Sequence, residues 1–543
     1  MKKNFFLAIL SGSLLAASWV TYGVTPLIFI AFVPLLLADS HIRSHYKHTK
    51  RKIFILSYIA FLIWNIVSTW WIWNSTHVGA VLAISINSLL MTLTFLLYHL
   101  VAKRSTQKLS LIFLVAIWLS FEKFHLWWDI SWPWLNLGNV FSEKITWIQW
   151  YEYTGTFGGS LWVWLLNIIF YIAAKDYLTD KNRALLAKRV GIAMLFFAIP
   201  VAISYYIYTN YSEKGLKTAN IMVVQPNIDP YERKYQLSNG DTADKILDLT
   251  FDYLDNYVDY VICPETVFGQ NIPIDRLGSS DPIMRLKKRT TLTYTEINWI
   301  GGAALIKFIE NKKNITPQSN YLPEYNIWYN DYNSAFLLNQ DYYRSDTLPL
   351  YHKSKLVVAV ENFPYQQLLK PILGNMLINL GGTVALKTTQ NERTIFTGRS
   401  TEGRAAPIIC YETIYGEFVT EYINKGANFL AILTNDAWWG DTQGHKQLLS
   451  YTRLRAIETR RSVARSANTG ISAFINGRGD ILKSLPYQTE GFLRTTIALN
   501  EKITFYVYMG DYIARIAGFL AFFIFLYAIV KKRGEITFQK TNK

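Results

Sequence analysis

Eight apolar runs, with basic residues gathered at their ends, constrain this chain more than any other feature of its sequence. Seven runs precede residue 210 and one follows residue 510, and they cover residues 5–20, 25–38, 53–73, 79–102, 109–121, 157–174, 190–208 and 511–530. A helix needs about 20 apolar residues to cross a bilayer, and several of these runs are shorter. The pattern predicts a polytopic α-helical membrane domain with about eight spans.

The net charge of +16 over 543 residues would also suit a nucleic-acid-binding protein, so its location matters. Five short stretches that flank the apolar runs contain 20 Lys and Arg and only four acids: residues 1–4, 39–52, 101–109, 175–189 and 531–543. The other 35 bases and 35 acids of the chain cancel. A surplus confined to the flanks of apolar runs is typical of a membrane protein and argues against a nucleic-acid partner.

The same basic stretches predict the orientation of the chain. If the runs cross the bilayer alternately, all five stretches fall on one side, and the short loops on the other side contain only Lys123 and Lys144. Basic loops stay in the cytoplasm, so both termini should be cytoplasmic and residues 210–508 external. The first 18 residues also resemble a secretory signal, but the next apolar run follows so closely that a helical hairpin is the better interpretation.

Residues 210–508 have the composition of a soluble α/β domain. Helical stretches are expected at 242–257, 413–426 and 445–464, and buried strands at 220–227, 260–266, 298–306, 333–338, 406–412 and 429–436. Strands that alternate with helices predict a layered α/β fold. The expected domains are therefore a membrane domain of seven helices at 1–209, an external domain at 210–508, and a final membrane helix with a cytoplasmic tail at 509–543.

Three of the predicted strands end in residues that could carry chemistry. Glu265 follows the run VDYVI, Lys353 lies in YHKSKLV with Glu361 eight residues later, and Cys410 ends APIIC. Polar residues at the carboxyl ends of strands often line the active crevice of α/β proteins. Each residue alone has a structural explanation, since a Glu after a strand is usually a cap and a buried Cys is usually a small hydrophobe.

Together these residues resemble the Glu-Lys-Cys triad of the nitrilase superfamily, in the same chain order. When the apolar runs are considered as well, the chain resembles one membrane-embedded branch of that superfamily, the bacterial apolipoprotein N-acyltransferase family. The motifs that carry this resemblance are SWPWLNLGN (131–139), TGTFGGS (154–160), VVQPNI (223–228), PE (264–265), YNS (332–334), YHKSKLV (351–357), ICYE (409–412), TNDAWWG (434–440) and R-A-x-E (455–458). Two departures, Ala359-Val360 before Glu361 and Cys263 before PE, leave the triad intact. The resemblance implies an αββα sandwich for the external domain.

The resemblance also implies roles for the site residues. Cys410 is the expected nucleophile, Glu265 the general base that removes its proton, and Lys353 the cation that stabilises the oxyanion. A thiol attacks an ester only as thiolate, so a base beside it is chemically necessary. Supporting roles fall to Glu361, which could orient Lys353, and to Tyr411 and Glu412, although plain salt bridges would explain the two acids as well.

Other residues support weaker hypotheses. Trp438 and Trp439 could line an acyl channel or pack in the core, and residues 363–382 could form a mobile lid or an ordinary helix. Turn formation accounts for Asn333, Asn435 and Asn468, and His445 is expected to be structural. The only other cysteine, Cys263, is expected to be a buried free thiol, since a disulfide would consume Cys410.

The function implied by the resemblance is acyl transfer in the bacterial inner membrane, with the external domain on the periplasmic side. The donor would be a membrane phospholipid and the acceptor the α-amino group of a diacylglyceryl-cysteine on an apolipoprotein. No cofactor or metal motif occurs in the sequence. One rival is a membrane-tethered amidase, which shares the triad but has no need of eight spans. Another rival is a transporter. Ionisable residues within the apolar runs would favour a transporter, but these runs contain almost none.

Overall fold

The computed structural model describes residues 1–229, 237–291, 293–358, 360–362, 365 and 386–531. The apolar runs coincide with helices α1 (Lys2–Ser18), α2 (Val33–His45), α3 (Thr49–Thr69), α4 (His77–Ala102), α5 (Gln107–Phe124), α6 (Tyr151–Asp180) and α7 (Arg183–Asn210), and with a last helix, Tyr512–Val530. Six of these eight are long and apolar enough to cross a membrane, counting α2 with the turn before it and α3 with the turn after it. The two outside this group are α1 and α5, with 17 and 18 residues.

The outward faces of the long helices are apolar. On α7, Leu195 is 59% exposed and Ile199 is 55% exposed, and on the last helix Phe519 is 69% exposed. Exposed apolar surface of this extent would be unfavourable in water, whereas lipid accommodates it. The helix surfaces therefore agree with the membrane domain predicted from the apolar runs.

The segment between α5 and α6 joins the helical bundle to the rest of the chain. It forms short 3-10 turns at Pro133–Leu135, Leu137–Phe141 and Ile145–Trp147. Trp134 is fully buried, its indole N–H donates to Gln447 Oε1 at 2.6 Å, and its carbonyl accepts from the Tyr451 hydroxyl at 3.0 Å. Because these bonds reach residues more than 300 positions away in the sequence, the helices and the α/β domain pack as partners.

The described part of the α/β domain contains two sheets. The first has the order β14-β1-β2-β4-β6-β5, with β3 also paired to β4 and β7 to β6. The second has the order β13-β12-β11-β10-β9-β8. The strands are β1 (Lys217–Gln225), β2 (Tyr260–Ile262), β3 (Phe268–Pro273), β4 (Asn298–Ile309), β5 (Asn320–Leu322), β6 (Ile327–Leu338), β7 (Leu350–His352), β8 (Phe396–Thr397), β9 (Arg404–Ile409), β10 (Phe429–Thr434), β11 (Ser462–Ala467), β12 (Ala473–Ile475), β13 (Ile481–Ser484) and β14 (Gly491–Leu499).

The two sheets pack face to face between layers of helices. Alternate side chains of β1 point to opposite faces, so Ile221 and Val223 enter the core between the sheets while Met222 and Val224 pack with the outer helices. The helices are α8 (Asn239–Thr250) and α9 (Asp281–Leu286) outside the first sheet, α10 (Gly416–Asn424) and α11 (Gln443–Thr459) outside the second, then α12 (Phe505–Met509) and α13 (Tyr512–Val530). The order helix, sheet, sheet, helix is the sandwich that the resemblance implied.

The element boundaries differ from the sequence prediction at the ends of two helices. The predicted helix 242–257 is wrong at its end, because α8 stops at Thr250. The predicted helix 445–464 is wrong at its end, because α11 stops at Thr459 and Arg460 adopts a left-handed conformation with φ of +52°. The strand β11 follows, and its sequence SVARSA is buried throughout. Its buried Arg465 donates to Asp436 at 2.7 Å. Polar side chains such as this one can be buried because they form hydrogen bonds inside the protein. The strand therefore lacks the apolar pattern by which buried strands are recognised in a sequence.

Candidate active site

Glu265 lies in the loop that follows β2 and is buried, with 7% of its surface exposed. Its Oε1 atom accepts hydrogen bonds from Lys353 Nζ at 2.8 Å and from Asn333 Nδ2 at 2.7 Å, and Oε2 accepts from the backbone N–H of Asn435 at 3.1 Å. Gly302 of β4 permits this loop to lie against the sheet, since a Cβ there would stand 2.3 Å from the Thr266 nitrogen. The carboxylate is therefore fixed in one orientation.

Lys353 follows β7 directly, and its ammonium group lies between two carboxylates. Nζ is 2.8 Å from Glu265 Oε1 and 2.9 Å from Glu361 Oε2. Burial lowers the pKa of Lys353, but the attraction of Glu265 and Glu361 outweighs burial and raises the pKa well above its usual value. Lys353 is therefore a permanent cation at neutral pH, as an oxyanion partner must be.

Asn333 links the two carboxylates that hold the lysine. It lies inside β6, and its Nδ2 atom donates to Glu265 at 2.7 Å and to Glu361 at 3.1 Å. The sequence interpretation of Asn333 as a turn residue is therefore wrong. The available signal was its inclusion in the predicted strand 333–338, since Asn is unfavourable in a strand unless its side chain is needed.

Glu361 is the second partner of Lys353. Its Oε2 atom also accepts from the backbone N–H of Val357 at 3.0 Å. Burial raises the pKa of Glu361, but the nearby Lys353 outweighs this and holds the pKa below its usual value. Glu361 is thus a buried carboxylate that keeps the ammonium group in place beside Glu265.

Cys410 occupies a sharp turn between a strand and a helix. It follows the last residue of β9, begins the 3-10 helix Cys410–Ile414, and has a left-handed backbone with φ of +50°. A non-glycine residue in this conformation is strained, and such strain concentrates at functional sites. The same strand-to-helix turn exposes the nucleophile in other enzyme folds.

The surroundings of Cys410 keep its thiol protonated at rest. Burial raises its pKa, and the Glu265 carboxylate raises it further, while Lys353 and a hydrogen bond from Thr434 lower it. A second carboxylate, Asp436, also raises the pKa of the thiol. A protonated thiol needs a base before it can act as a nucleophile.

Glu412 connects the lysine loop to the cysteine turn. Its Oε1 atom accepts from the Tyr351 hydroxyl at 2.6 Å and from the backbone N–H groups of Ser354 at 2.7 Å and Lys355 at 3.3 Å. Its Oε2 atom accepts from the backbone N–H of Ile409 at 2.8 Å. Burial raises the pKa of Glu412. This carboxylate links the loop that carries Lys353 to the turn that carries Cys410.

Tyr411 points away from the triad. Its hydroxyl donates to the Ser131 carbonyl at 3.0 Å, and its ring stacks on Trp132 with 6.3 Å between ring centres. Its backbone N–H belongs to the first turn of the 3-10 helix, where N–H groups have no partner within the helix. Tyr411 therefore joins the site to the helical bundle while its backbone remains beside the nucleophile.

An apolar cavity of about 160 Å³ opens beside Cys410. Its walls come from both halves of the chain and include one face of α4, with Gly79, Leu82, Ala83 and Ile86 at helical spacing. The remaining lining residues are Trp71, Ile72, Ser75, Thr76, Asn87, His125, Ile130, Ser131, Trp132, Trp134, Val357, Val358, Val360, Tyr411 and Trp439. The nucleophile thus faces an apolar space that reaches into the helical bundle.

The two tryptophans of TNDAWWG differ in position. Trp439 lines this apolar cavity, with its ring centre 4.8 Å from that of Trp71 and 5.7 Å from that of Trp134. Trp438 is half-buried and is not among the lining residues that the structure describes. Only Trp439 has the position expected of a wall residue of an acyl channel.

The remaining expectations concern residues away from the triad. Cys263 and Cys410 are both buried free thiols. His445 lies 3.2 Å from the Gly440 carbonyl and stacks on Tyr487, which agrees with a structural role. Apart from Tyr365, the proposed lid at 363–382 lies outside the described residues. Among the residues that are described, no group of three or more His, Cys, Asp or Glu could hold a metal ion.

Sequence comparison assigns the sandwich to a class of enzyme domain. Residues 296–504 match the carbon-nitrogen hydrolase family, and residues 11–169 match the N-terminal domain family of apolipoprotein N-acyltransferase. An amidase from Nesterenkonia superposes with a TM-score of 0.34 at 16% identity, over 54% of this chain and 95% of that chain.

Curated relatives extend the similarity to the full length. The apolipoprotein N-acyltransferase of Chlorobaculum tepidum is 27% identical over 98% of both chains. That of Geobacter metallireducens is 26% identical over 94% of this chain and 93% of its own. That of Haemophilus influenzae is 34% identical over 32% of each. The chain is therefore similar to bacterial apolipoprotein N-acyltransferases over nearly its whole length.

Proposed function

We propose that this protein transfers a fatty acyl chain from a membrane phospholipid to the N-terminal α-amino group of a diacylglyceryl-cysteine apolipoprotein. The observation that carries the proposal is that Cys410, beside a carboxylate and an ammonium group, opens into an apolar cavity lined by α4. A hydrolase of small polar substrates has no use for such a cavity. The activity named for the full-length relatives agrees with this chemistry.

In the first half-reaction, Glu265 removes the Cys410 proton as the sulfur attacks the ester carbonyl of the phospholipid. Lys353 and the backbone N–H of Tyr411 stabilise the negative charge that develops on the carbonyl oxygen. When this intermediate collapses, the ester C–O bond breaks and the leaving alkoxide takes the proton from Glu265. The products are a lysophospholipid and a thioester on Cys410.

In the second half-reaction, the free amine of the acceptor attacks the thioester. Glu265 accepts a proton from the amine, and the same two donors stabilise the new oxyanion. The C–S bond then breaks, Glu265 returns the proton to the sulfur, and the acyl chain remains on the acceptor as an amide. Water must compete poorly at this stage, and the apolar walls around Cys410 exclude it.

The proposed location is the bacterial inner membrane with the α/β domain on the periplasmic side. Both substrates carry lipid chains, so an enzyme that is embedded in the bilayer can meet them there. We expect reporter fusions after Tyr211 and at the C-terminus to give opposite signals, because the basic stretches hold both termini in the cytoplasm. The same signal at both positions would contradict this topology.

The function is tested with the purified full-length protein, a phospholipid and a synthetic diacylated lipopeptide with a free N-terminal amine. We expect mass spectrometry to show a triacylated lipopeptide and an equal amount of lysophospholipid. A lipopeptide with an acetylated N-terminus is the matched control and should gain no chain. Release of free fatty acid without a triacylated product would indicate a tethered hydrolase instead.

A further inference from the structure

A second cavity, of about 630 Å³, has Tyr415 and Phe418 in its wall, a few residues after the cysteine turn. We call it the interfacial cavity, because its wall includes Lys123 and Trp127 at the end of α5 and Asp511 and Arg515 at the start of α13. In the proposed topology both helix ends reach the outer surface of the bilayer. Trp127, which is 70% exposed, suits that level. The volume falls within the range of about 300–1,000 Å³ that is typical of ligand pockets.

The charges on this wall do not cancel. Its lining contains four cations, Lys123, Lys355, Arg393 and Arg515, and three carboxylates, Glu417, Glu421 and Asp511. Lys123 pairs with Glu417 and with Asp511, and Arg515 pairs with Glu417. Arg393 lies 3.5 Å from Glu421. One positive charge, that of Lys355, is left over.

Lys355 is half-buried and faces the cavity without a counterion. No carboxylate of the described residues lies within ion-pair distance of its Nζ atom, whose one described hydrogen bond is a long one of 3.4 Å to the Leu126 carbonyl. Instead, the ammonium group lies over the rings of Tyr415 and Phe418, at 5.0 and 6.0 Å. Burial lowers the pKa of Lys355 and the neighbouring Arg393 lowers it further, and these effects outweigh the more distant carboxylates of Glu412 and Glu421, which raise it. An anion in the cavity would relieve both effects.

A second cation lies beside it. Arg393 is 5% exposed, and its Nε atom makes no hydrogen bond but lies 3.5 Å from the Glu421 carboxylate. Its other nitrogens bond to the Asn391 carbonyl at 2.5 Å and to the Tyr351 hydroxyl at 3.3 Å. The loop therefore holds the guanidinium group in place beside Lys355.

We propose that the interfacial cavity binds the phosphodiester of a bilayer phospholipid, with Lys355 as the main contact and Arg393 as the second. A phosphodiester carries one negative charge, which matches the one unpaired cation, and its oxygens suit ammonium and guanidinium donors. The cavity lies at the level where headgroups meet the bilayer. This site goes beyond the proposed function, because acyl transfer requires only the triad and the apolar cavity.

The position of the site couples it to the catalytic centre. The Tyr415 hydroxyl, on the wall of the interfacial cavity, bonds to the Ser131 hydroxyl at 2.7 Å, and Ser131 lines the apolar cavity. The backbone N–H of Lys355 bonds to Glu412, two residues from Cys410. A headgroup held here would therefore stabilise the lysine loop and the cysteine turn together.

The test counts bound lipids on the full-length protein by native mass spectrometry, with Cys410→Ala in every sample so that no chain is transferred. The probes are dioctanoylphosphatidylcholine, dioctanoylglycerol, which has the same chains without the phosphodiester, and inorganic phosphate. We expect Lys355→Gln to retain one phospholipid fewer per chain than its parent, because binding at that site becomes about tenfold weaker. Binding of dioctanoylglycerol should be unchanged. Lys355→Arg should bind nearly as the parent protein does, and Lys313→Gln, at an exposed lysine, should have no effect.

Equal phospholipid binding by Lys355→Gln and its parent would overturn the proposal. So would an equal loss of dioctanoylglycerol, which would indicate damage to the fold. Displacement of the phospholipid by millimolar inorganic phosphate would show that free phosphate, and not a lipid headgroup, is the ligand. Because Cys410 is absent throughout, these outcomes are independent of whether the protein transfers acyl chains.

Discussion

Glu265→Gln should reduce formation of the acyl-enzyme by about 10² to 10⁴-fold while the protein stays folded. Gln is nearly the same size, and its one oxygen can still accept hydrogen bonds from Lys353 and Asn333, so the loop after β2 should keep its shape although the bond from the Asn435 N–H is lost. It cannot accept the thiol proton. Because burial raises the pKa of Cys410, the sulfur needs a base to become a thiolate at neutral pH. The rate is measured as transfer of a labelled acyl chain from phospholipid to the protein.

Asp331→Asn is a matched control for this change. Asp331 is also a buried carboxylate paired with a lysine, Lys387, at 2.8 Å, and it lies two residues before Asn333 on β6. Its loss should lower the melting temperature without abolishing acylation. Acylation of Glu265→Gln at the rate of the unaltered protein would show that another group is the base.

Lys353→Met should abolish turnover, since loss of one oxyanion partner costs about 10² to 10³ in rate. The change also leaves Glu265 and Glu361 as two buried carboxylates without their shared cation. Breaking a buried ion pair in this way costs about 3–5 kcal/mol of stability. We therefore expect a lower melting temperature as well as a lower rate.

A double variant separates these two effects. Lys353→Met with Glu361→Gln removes one cation and one anion, so the net charge of the triad and Glu361 returns to its original value of −1. The melting temperature should recover, whereas turnover should not. Recovery of turnover with stability would indicate that Lys353 is a structural residue.

The membrane part of the fold could be predicted from the sequence because its physical signal is strong. All eight apolar runs coincide with helices, since apolar stretches flanked by charge have few other stable arrangements. The turns at 133–147 and the burial of Trp134 could not be foreseen. They depend on contacts with α11, which lies more than 300 residues away in the sequence.

The sequence also singled out Glu265, Lys353 and Cys410 as candidates, and in the structure Glu265 and Cys410 follow the buried strands β2 and β9. The sequence could not show how the supporting residues are used. Asn333 bridges two carboxylates only because β6 lies beside the lysine loop. Glu412 bonds to Ser354, 58 residues before it, which no local pattern predicts. Such partners are fixed by the packing of the sheets.

The tryptophans of TNDAWWG illustrate the same limit. Residues 438 and 439 are adjacent and identical, so composition cannot separate them. The 3-10 turn Asp436–Trp439 directs the second ring against Trp71 and into the apolar cavity. Local backbone geometry, and not residue type, decides which of the two contacts the space beside Cys410.

The covalent intermediate on Cys410 provides the most direct test of the central claim. The purified protein is incubated with labelled phospholipid and no acceptor, and the labelled peptide is identified by mass spectrometry. We expect the acyl chain on Cys410, its release by neutral hydroxylamine because the link is a thioester, and its transfer to a diacylated lipopeptide that is added afterwards. Cys410→Ala should carry no label, and Cys263→Ser, which changes the other buried thiol, should be labelled normally. A label that persists in Cys410→Ala, or that resists hydroxylamine, would contradict the account.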